Sequence, residues 1–249
     1  DFQLSSDQFE SQSASNGGKS IIVKGDTVIV VWQSAVSPVV RLYSRRSTNG
    51  GVTWQDSVQL PGSFSYDCFS PAVALANNRC YVTYIKKESD AYYTIVNIST
   101  NYGITWGNTV TVQEYDGFIK SNPVICADSV NVHVAFTYTS NTGVSKVMYK
   151  RSTNNGNNFN FSSSWIVNGN QLLPSIACSG SKIYLSYTEE ISGNRDIKFH
   201  GSTNNGGSFI TTQITSDTST QTRSTVAANG DNVYLAWNEY KYGNIDIVC

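Results

Sequence analysis

Apolar and polar residues alternate over short runs along this chain, and the runs recur. Val28-Ile29-Val30-Val31-Trp32, Cys80-Tyr81-Val82-Thr83-Tyr84, Val132-His133-Val134-Ala135-Phe136, Ile183-Tyr184-Leu185-Ser186-Tyr187 and Val233-Tyr234-Leu235-Ala236-Trp237 each end on an aromatic. Those aromatics lie 52, 52, 51 and 50 residues apart. Each run is short, rich in β-formers and preceded by turn residues, which predicts a strand. A shorter run stands before each one: Ser20-Ile21-Ile22, Pro71-Ala72-Val73-Ala74, Pro123-Val124-Ile125-Cys126, Pro174-Ser175-Ile176-Ala177 and Ser224-Thr225-Val226-Ala227. The pattern predicts five copies of a two-strand hairpin. Self-similarity at such a period marks a repeat architecture, in which each unit buries its apolar face on the next.

A second repeat runs beside the first. Ser47-Thr48-Asn49-Gly50-Gly51-Val52-Thr53-Trp54, Ser99-Thr100-Asn101-Tyr102-Gly103-Ile104-Thr105-Trp106, Ser152-Thr153-Asn154-Asn155-Gly156-Asn157-Asn158-Phe159 and Ser202-Thr203-Asn204-Asn205-Gly206-Gly207-Ser208-Phe209 begin 52, 53 and 50 residues apart. Asn followed two residues later by Gly is turn chemistry: the amide oxygen accepts from backbone N–H groups ahead of it, and Gly permits positive φ. Asn49, Asn101, Asn154 and Asn204 are therefore predicted as structural turn residues, with the terminal aromatic anchoring each turn. These segments resemble the BNR or Asp-box family, whose motif Ser-x-Asp-x-Gly-x-Thr-Trp joins the third and fourth strands of a propeller blade. Asn stands here where that family has Asp, and Phe159 and Phe209 replace Trp.

The expected fold is all-β: a single domain over residues 1–249, built as a five-bladed β-propeller of four-stranded antiparallel blades. Gln3-Leu4-Ser5-Ser6-Asp7 resembles Gln213-Ile214-Thr215-Ser216-Asp217. Residues 1–8 are accordingly expected to supply the outer strand of the last blade and close the ring, so that no apolar blade face is left at either end.

Composition narrows the function. Charged residues are 14% of the chain and the formal net charge is −1, which gives no general attraction to nucleic acid or to an anionic membrane. No apolar run reaches the roughly 20 residues of a membrane-spanning helix. The only methionine is Met148, so Asp1 reads as a mature end after signal removal or as an expression boundary. The Asn-, Ser-, Thr- and Tyr-rich surface suggests an extracellular address. Five cysteines leave at least one unpaired. Cys68 and Cys80 lie too far apart along their hairpin to bridge, while Cys126, Cys178 and Cys249 fall in apolar strand patterns that suit buried thiols. With only His133 and His200 and no CxxC, neither a zinc site nor any other metal or cofactor is expected.

The resemblance implies a motif at the rim, away from the ligand, in a family that spans sialidases, lectins and purely interacting propellers, so the site has to be argued residue by residue. Sialidases of this kind carry an Arg-Ile-Pro motif and three arginines that clamp a carboxylate. None of the seven arginines here (41, 45, 46, 79, 151, 195 and 223) stands in Arg-Ile-Pro. Loops joining the second strand to the third, and the fourth to the next first strand, share the face where propellers bind ligands. The first set reads Gln33–Pro38, Lys86–Ala91, Tyr138–Val144, Glu189–Asn194 and Glu239–Asn244.

Two signatures on that face carry chemistry. Tyr66-Asp67-Cys68-Phe69 and Tyr115-Asp116-Gly117-Phe118 both precede a first strand. Asp beside Tyr can hydrogen-bond sugar hydroxyls while a ring stacks on the pyranose; the competing reading is loop packing around a capping Asp. Tyr138, Trp237 and Tyr240 add rings, and Arg195 and Arg223 add charge. The five strand-ending aromatics read first as core between blades. Glu189, Glu190 and Glu239 occupy equivalent loops, and two carboxylates roughly 5–10 Å apart would suit glycoside hydrolysis; the alternative is a set of solvated loop acids. The leading expectation is a secreted, non-catalytic binding propeller for glycans or glycoconjugates. A glycan hydrolase and a protein-interaction module are the other two readings.

Overall fold

The computed structural model describes residues 11–12, 18–36, 38–165, 169–241 and 243–249. Strands are the only regular elements among them, and they form antiparallel sheets laid one after another along the chain. The first sheet holds β1 (Ser11–Gln12), β2 (Ile21–Lys24), β3 (Thr27–Val36), β4 (Val39–Ser47) and β5 (Val58–Gln59), with β1 and β2 both paired to β3. The second runs β6 (Asp67–Ala76), β7 (Arg79–Glu88), β8 (Ala91–Ser99) and β9 (Asn108–Gln113). The third runs β10 (Ile119–Asp128), β11 (Asn131–Thr139), β12 (Ser145–Ser152) and β13 (Phe161–Ser164). The fourth runs β14 (Asn170–Ser179), β15 (Lys182–Ile191), β16 (Asn194–Ser202) and β17 (Ile210–Gln213). Among the described residues the last sheet has three strands, β18 (Thr220–Asn229), β19 (Asn232–Lys241) and β20 (Asn244–Val248). The pairing expected of residues 3–7 lies outside the described residues.

The predicted hairpins are present and longer than their apolar runs. Residues expected in loops, among them Lys86, Glu189, Glu190, Glu239 and Tyr240, stand in the extended ends of β7, β15 and β19. Asp67 to Phe69 likewise belong to β6. The apolar run undercounts the strand because a β-bulge interrupts the first strand of four sheets, shifting the register between Phe69 and Ala72, Ser121 and Val124, Leu172 and Ser175, and Thr222 and Thr225. At each bulge a non-glycine residue takes positive φ: Ser70 at 54°, Asn122 at 50°, Leu173 at 54° and Arg223 at 56°. Three of the four precede proline, which disfavours the right-handed helical region. Pairing resumes beyond each bulge, toward the loops that join the second strand of each sheet to the third.

Burial follows the repeat. Three apolar clusters each join neighbouring sheets. Ile29, Val31 and Leu42 meet Val73, Val82 and Tyr84; Ala72, Tyr81 and Ile98 meet Ile125, Val134 and Phe136; Val124, Val147 and Tyr149 meet Ile176, Leu185 and Tyr187. The strand-ending aromatics Trp32, Tyr84, Phe136 and Tyr187 are buried and Trp237 is half-buried, so these rings serve as core.

The four rim turns are built alike. Asn49, Asn101, Asn154 and Asn204 each accept through Oδ1 from the backbone N–H four residues on, at 2.8, 3.0, 3.2 and 2.9 Å. The leading serines accept the N–H of Gly51, Gly103, Gly156 and Gly206, each at 2.9 Å. In the last three turns the box aromatic reaches back to the preceding sheet, whereas Trp54 donates to Gly51 within its own turn at 2.9 Å. Trp106 donates from Nε1 to Ser44 Oγ at 2.8 Å, Phe159 joins the cluster of the second sheet, and Phe209 meets Tyr149 edge-on. Free thiols occur at all five cysteines, with Cys68, Cys80 and Cys126 buried and Cys178 half-buried. Cys249 departs from the expected burial: it stands exposed just past the end of β20.

Candidate ligand face

Tyr66, Tyr115, Asp116 and Tyr138, read from sequence as ligand-binding, come together above the second and third sheets around two lysines. The Lys86 ammonium lies 4.8 Å from the Tyr66 ring centroid and 4.5 Å from that of Tyr93. Tyr93 in turn packs at 6.4 Å against Tyr115. Lys120 sits 5.5 Å from the Tyr115 ring and 5.4 Å from Tyr138. Phe118 stacks on Tyr138 at 4.5 Å. Cations over aromatic faces attract the ring quadrupole, more strongly where water is excluded. The result is a continuous surface of rings with Tyr66 and Tyr115 exposed at its edge.

Lys120 organises this surface from below. Its side chain is fully buried and forms an ion pair with Asp116 Oδ1, while Nζ also donates to the Phe118 carbonyl at 3.0 Å. The other carboxylate oxygen of Asp116 accepts from Tyr138 Oη at 3.0 Å and from Gln113 Nε2 at 3.0 Å. Burial and this bond to Asp116 push the Tyr138 phenol up to about 12. Asp116 therefore positions the rings, which is the capping alternative. Tyr66, Tyr93 and Tyr115 remain the groups able to stack on a ligand.

Asp67 is engaged differently. Its Oδ1 accepts the backbone N–H of Val40 at 2.8 Å, tying the second sheet to β4. Asn170, its equivalent in β14, accepts from Ser145 N at 2.9 Å in the same way. This repeated staple explains an acid at that position without a ligand.

The remaining candidates stand on the fourth and fifth sheets, and among the described residues none of their hydrogen bonds or ion pairs reaches the ring cluster. Glu190 accepts from Arg195 Nε at 2.6 Å. Glu189 is buried, pairs with Lys198 at 3.2 Å, and leaves Oε1 without a partner. Glu239 accepts from Gln221 at 3.1 Å. Each carboxylate is thus held within its own sheet. Arg223 and Tyr240 line a separate open cavity of about 350 Å³ with Thr220, Thr222, Asn238 and Ile245. Trp237 leaves its indole nitrogen unpaired beneath the surface. Tyr242 lies outside the described residues. Among the described residues no group of three or more His, Cys, Asp or Glu is placed to hold a metal ion.

Both histidines are interior. His133 Nδ1 lies 2.7 Å from Tyr149 Oη, and His200 bonds to Tyr187 Oη at 3.0 Å and Thr211 Oγ1 at 2.9 Å. Burial lowers each to about 3. They are neutral packing groups at neutral pH.

Sequence reasoning missed Tyr93 and Lys120. The signal available for Lys120 was its place in the repeat, where the second, fourth and fifth sheets carry Cys68, Gln171 and Gln221. A lone lysine at an inner-strand position calls for a counterion nearby.

The all-β architecture is similar in fold to solved propeller structures, among them a sialidase and an arabinanase. A protein of unknown function from Dyadobacter fermentans superposes with a TM-score of 0.68 at 12% identity, over 96% of this chain and 80% of the other. Trypanosoma rangeli sialidase in complex with the inhibitor DANA gives 0.57 at 12% identity over 94% of this chain, which spans 54% of the sialidase. The GH43 endo-arabinanase from Bacillus licheniformis gives 0.52 at 14% identity, over 95% and 94% of the two chains. No protein-family model and no curated protein matches the sequence.

Proposed function

We propose that the five sheets are blades of one propeller and that the chain is a secreted glycan-binding module, using the ring surface of Tyr66, Tyr93 and Tyr115 as its stacking platform. The observation that carries this reading is the convergence of those rings on Lys86 and the buried Lys120 at one end of two adjacent sheets. An aromatic face suits the apolar face of a pyranose, and the flanking Lys86 and tyrosine hydroxyls suit its substituents. The structural likeness to glycan-active propellers supports the ligand class. A glycan array followed by calorimetry on each hit tests the reading. Tyr115→Ala and Tyr93→Ala should each weaken binding at least tenfold with the fold intact. Full-affinity binding by both variants, or an array without a hit, would remove the assignment.

One observation favours hydrolysis as a second reading: Glu189 is a buried carboxylate with an unpartnered oxygen, in a fold shared with sialidase and arabinanase. Release of reducing sugar from a polysaccharide panel, abolished in Glu189→Gln, would favour that reading over pure binding.

A further inference from the structure

Where the first strands of neighbouring sheets meet, the repeat brings the same two positions together at each junction. Register fixes the equivalence. Ala74, Cys126 and Ala177 stand opposite Tyr81, His133 and Tyr184, while Ala127, Cys178 and Ala228 stand opposite Val132, Ile183 and Val233. Alternation along β10 sends Ile125 and Ala127 toward the second sheet and Val124 and Cys126 toward the fourth. Ile176 and Cys178 on β14 face back toward the third sheet. Ala74 therefore meets Ala127 within one apolar cluster, and Cys126 meets Cys178 within the next.

Three observations converge on this pair. Two methyl groups suffice at the junction of the second and third sheets, so the strands run close at these positions. The Cys126 and Cys178 side chains lie within hydrogen-bonding reach of each other. Both also line one cavity of about 170 Å³, beside Ala74, Leu75 and Ala127. The other thiols have no such partner position. Cys68 and Cys80 stand opposite Lys86 and Leu75, at the two ends of the second sheet, and Cys249 lies beyond β20.

We propose that Cys126 and Cys178 are a disulfide-forming pair that joins the third sheet to the fourth when the chain folds in an oxidising compartment. The oxidant is a low-molecular-weight disulfide, such as oxidised glutathione. The thiolate of Cys178, the half-buried member, attacks one sulfur of that disulfide, and one glutathione thiol leaves. The Cys126 thiolate then attacks Cys178 Sγ in the mixed disulfide and expels the second glutathione thiol. Two protein thiols give up two protons and two electrons, and one glutathione disulfide becomes two thiols. Once the sheets have packed, burial pushes the Cys126 thiol up and withholds its thiolate, so the exchange belongs to folding. The bond closes a segment of chain 52 residues long and restricts the unfolded state accordingly. The inference does not depend on the ligand reading.

Refolding of the reduced chain in a glutathione redox buffer, followed by alkylation and peptide mass spectrometry, tests it. Wild type should keep three of its five cysteines open to alkylation and yield a cross-linked peptide joining Cys126 to Cys178. Its melting temperature should exceed that of the reduced protein by about 5 °C or more. Cys126→Ala and Cys178→Ala install the residues that the second and third sheets use at their own junction, so both variants should fold. Each should be alkylated at its four remaining cysteines and melt at one temperature with or without oxidant. Five alkylated cysteines in refolded wild type, a cross-link between any other pair, or equal melting temperatures of the oxidised and reduced protein would each overturn the proposal. So would an oxidant-dependent melt that persists in either variant. Should an alanine variant misfold, the cross-linked peptide of wild type decides alone.

Discussion

Replacing Asp116 by Ala isolates what holds the ring surface in place. Lys120 is fully buried on its side chain, and its charge is balanced by Asp116 Oδ1, the Phe118 carbonyl and the faces of Tyr115 and Tyr138. Without Asp116 the ammonium keeps one carbonyl and two rings. Stranding a buried charge costs about 3–5 kcal/mol. The Asp116 side chain is 31% exposed, so water can enter where the carboxylate stood and solvate part of that charge. The expected loss is therefore about 2–3 kcal/mol, below the fully buried range. Lys120→Met removes the charge while keeping most of the stem's packing, and leaves Asp116 bonded to Tyr138 and Gln113 in contact with water. That variant should lose only about 1 kcal/mol. Combining the two should be milder than adding them, with a coupling of roughly 1–2 kcal/mol. Urea unfolding of the four proteins, read by tryptophan fluorescence, completes the cycle. Additive losses would show that the pair is not coupled and that Asp116 does not neutralise Lys120.

Asn204→Ala removes the acceptor for Ser208 N and should cost about 1 kcal/mol, by analogy with loss of a helix cap, read as a lowered melting temperature; an unchanged melt would contradict the turn role. Gly206→Ala should be far worse than Gly50→Ala although both have positive φ, at +72° and +66°. A Cβ at Gly206 would overlap the Tyr149 hydroxyl, which His133 holds at 2.7 Å, whereas a Cβ at Gly50 meets open space. Similar melting temperatures for the two would refute the packing argument. Stability should also fall with acid well above the carboxylate range. His133 and His200 have folded values near 3 against about 6.5 when unfolded, so below pH 6.5 the unfolded chain gains protons that the folded chain refuses. Their contribution is complete above pH 6.5 and is lost progressively toward pH 3, with a slope of order 1 kcal/mol per pH unit for each histidine once well below 6.5. Urea midpoints that stay flat from pH 6.5 to 5 would exclude that burial.

The alternating runs and their period were enough to read the sheets, because a half-buried strand must repeat its apolar residues at every second position. The rim turns were equally legible: the side-chain oxygen of Asn101 bonds only four residues ahead, so local sequence encodes the whole motif. Strand ends were not, since the bulges at Ser70, Asn122, Leu173 and Arg223 let pairing continue past the point where the apolar pattern breaks. The ring surface was half legible. Tyr66, Tyr115 and Tyr138 announced themselves by type, but their union through Lys86, Tyr93 and Lys120 depends on residues from two sheets meeting at one end. The same dependence separated Asp67 from Asp116: both stand in a Tyr-Asp-x-Phe signature, one bonded to β4 and the other paired with a buried lysine. Periodicity specifies which residues point at a neighbour; whether a neighbour stands there is a property of the assembled chain.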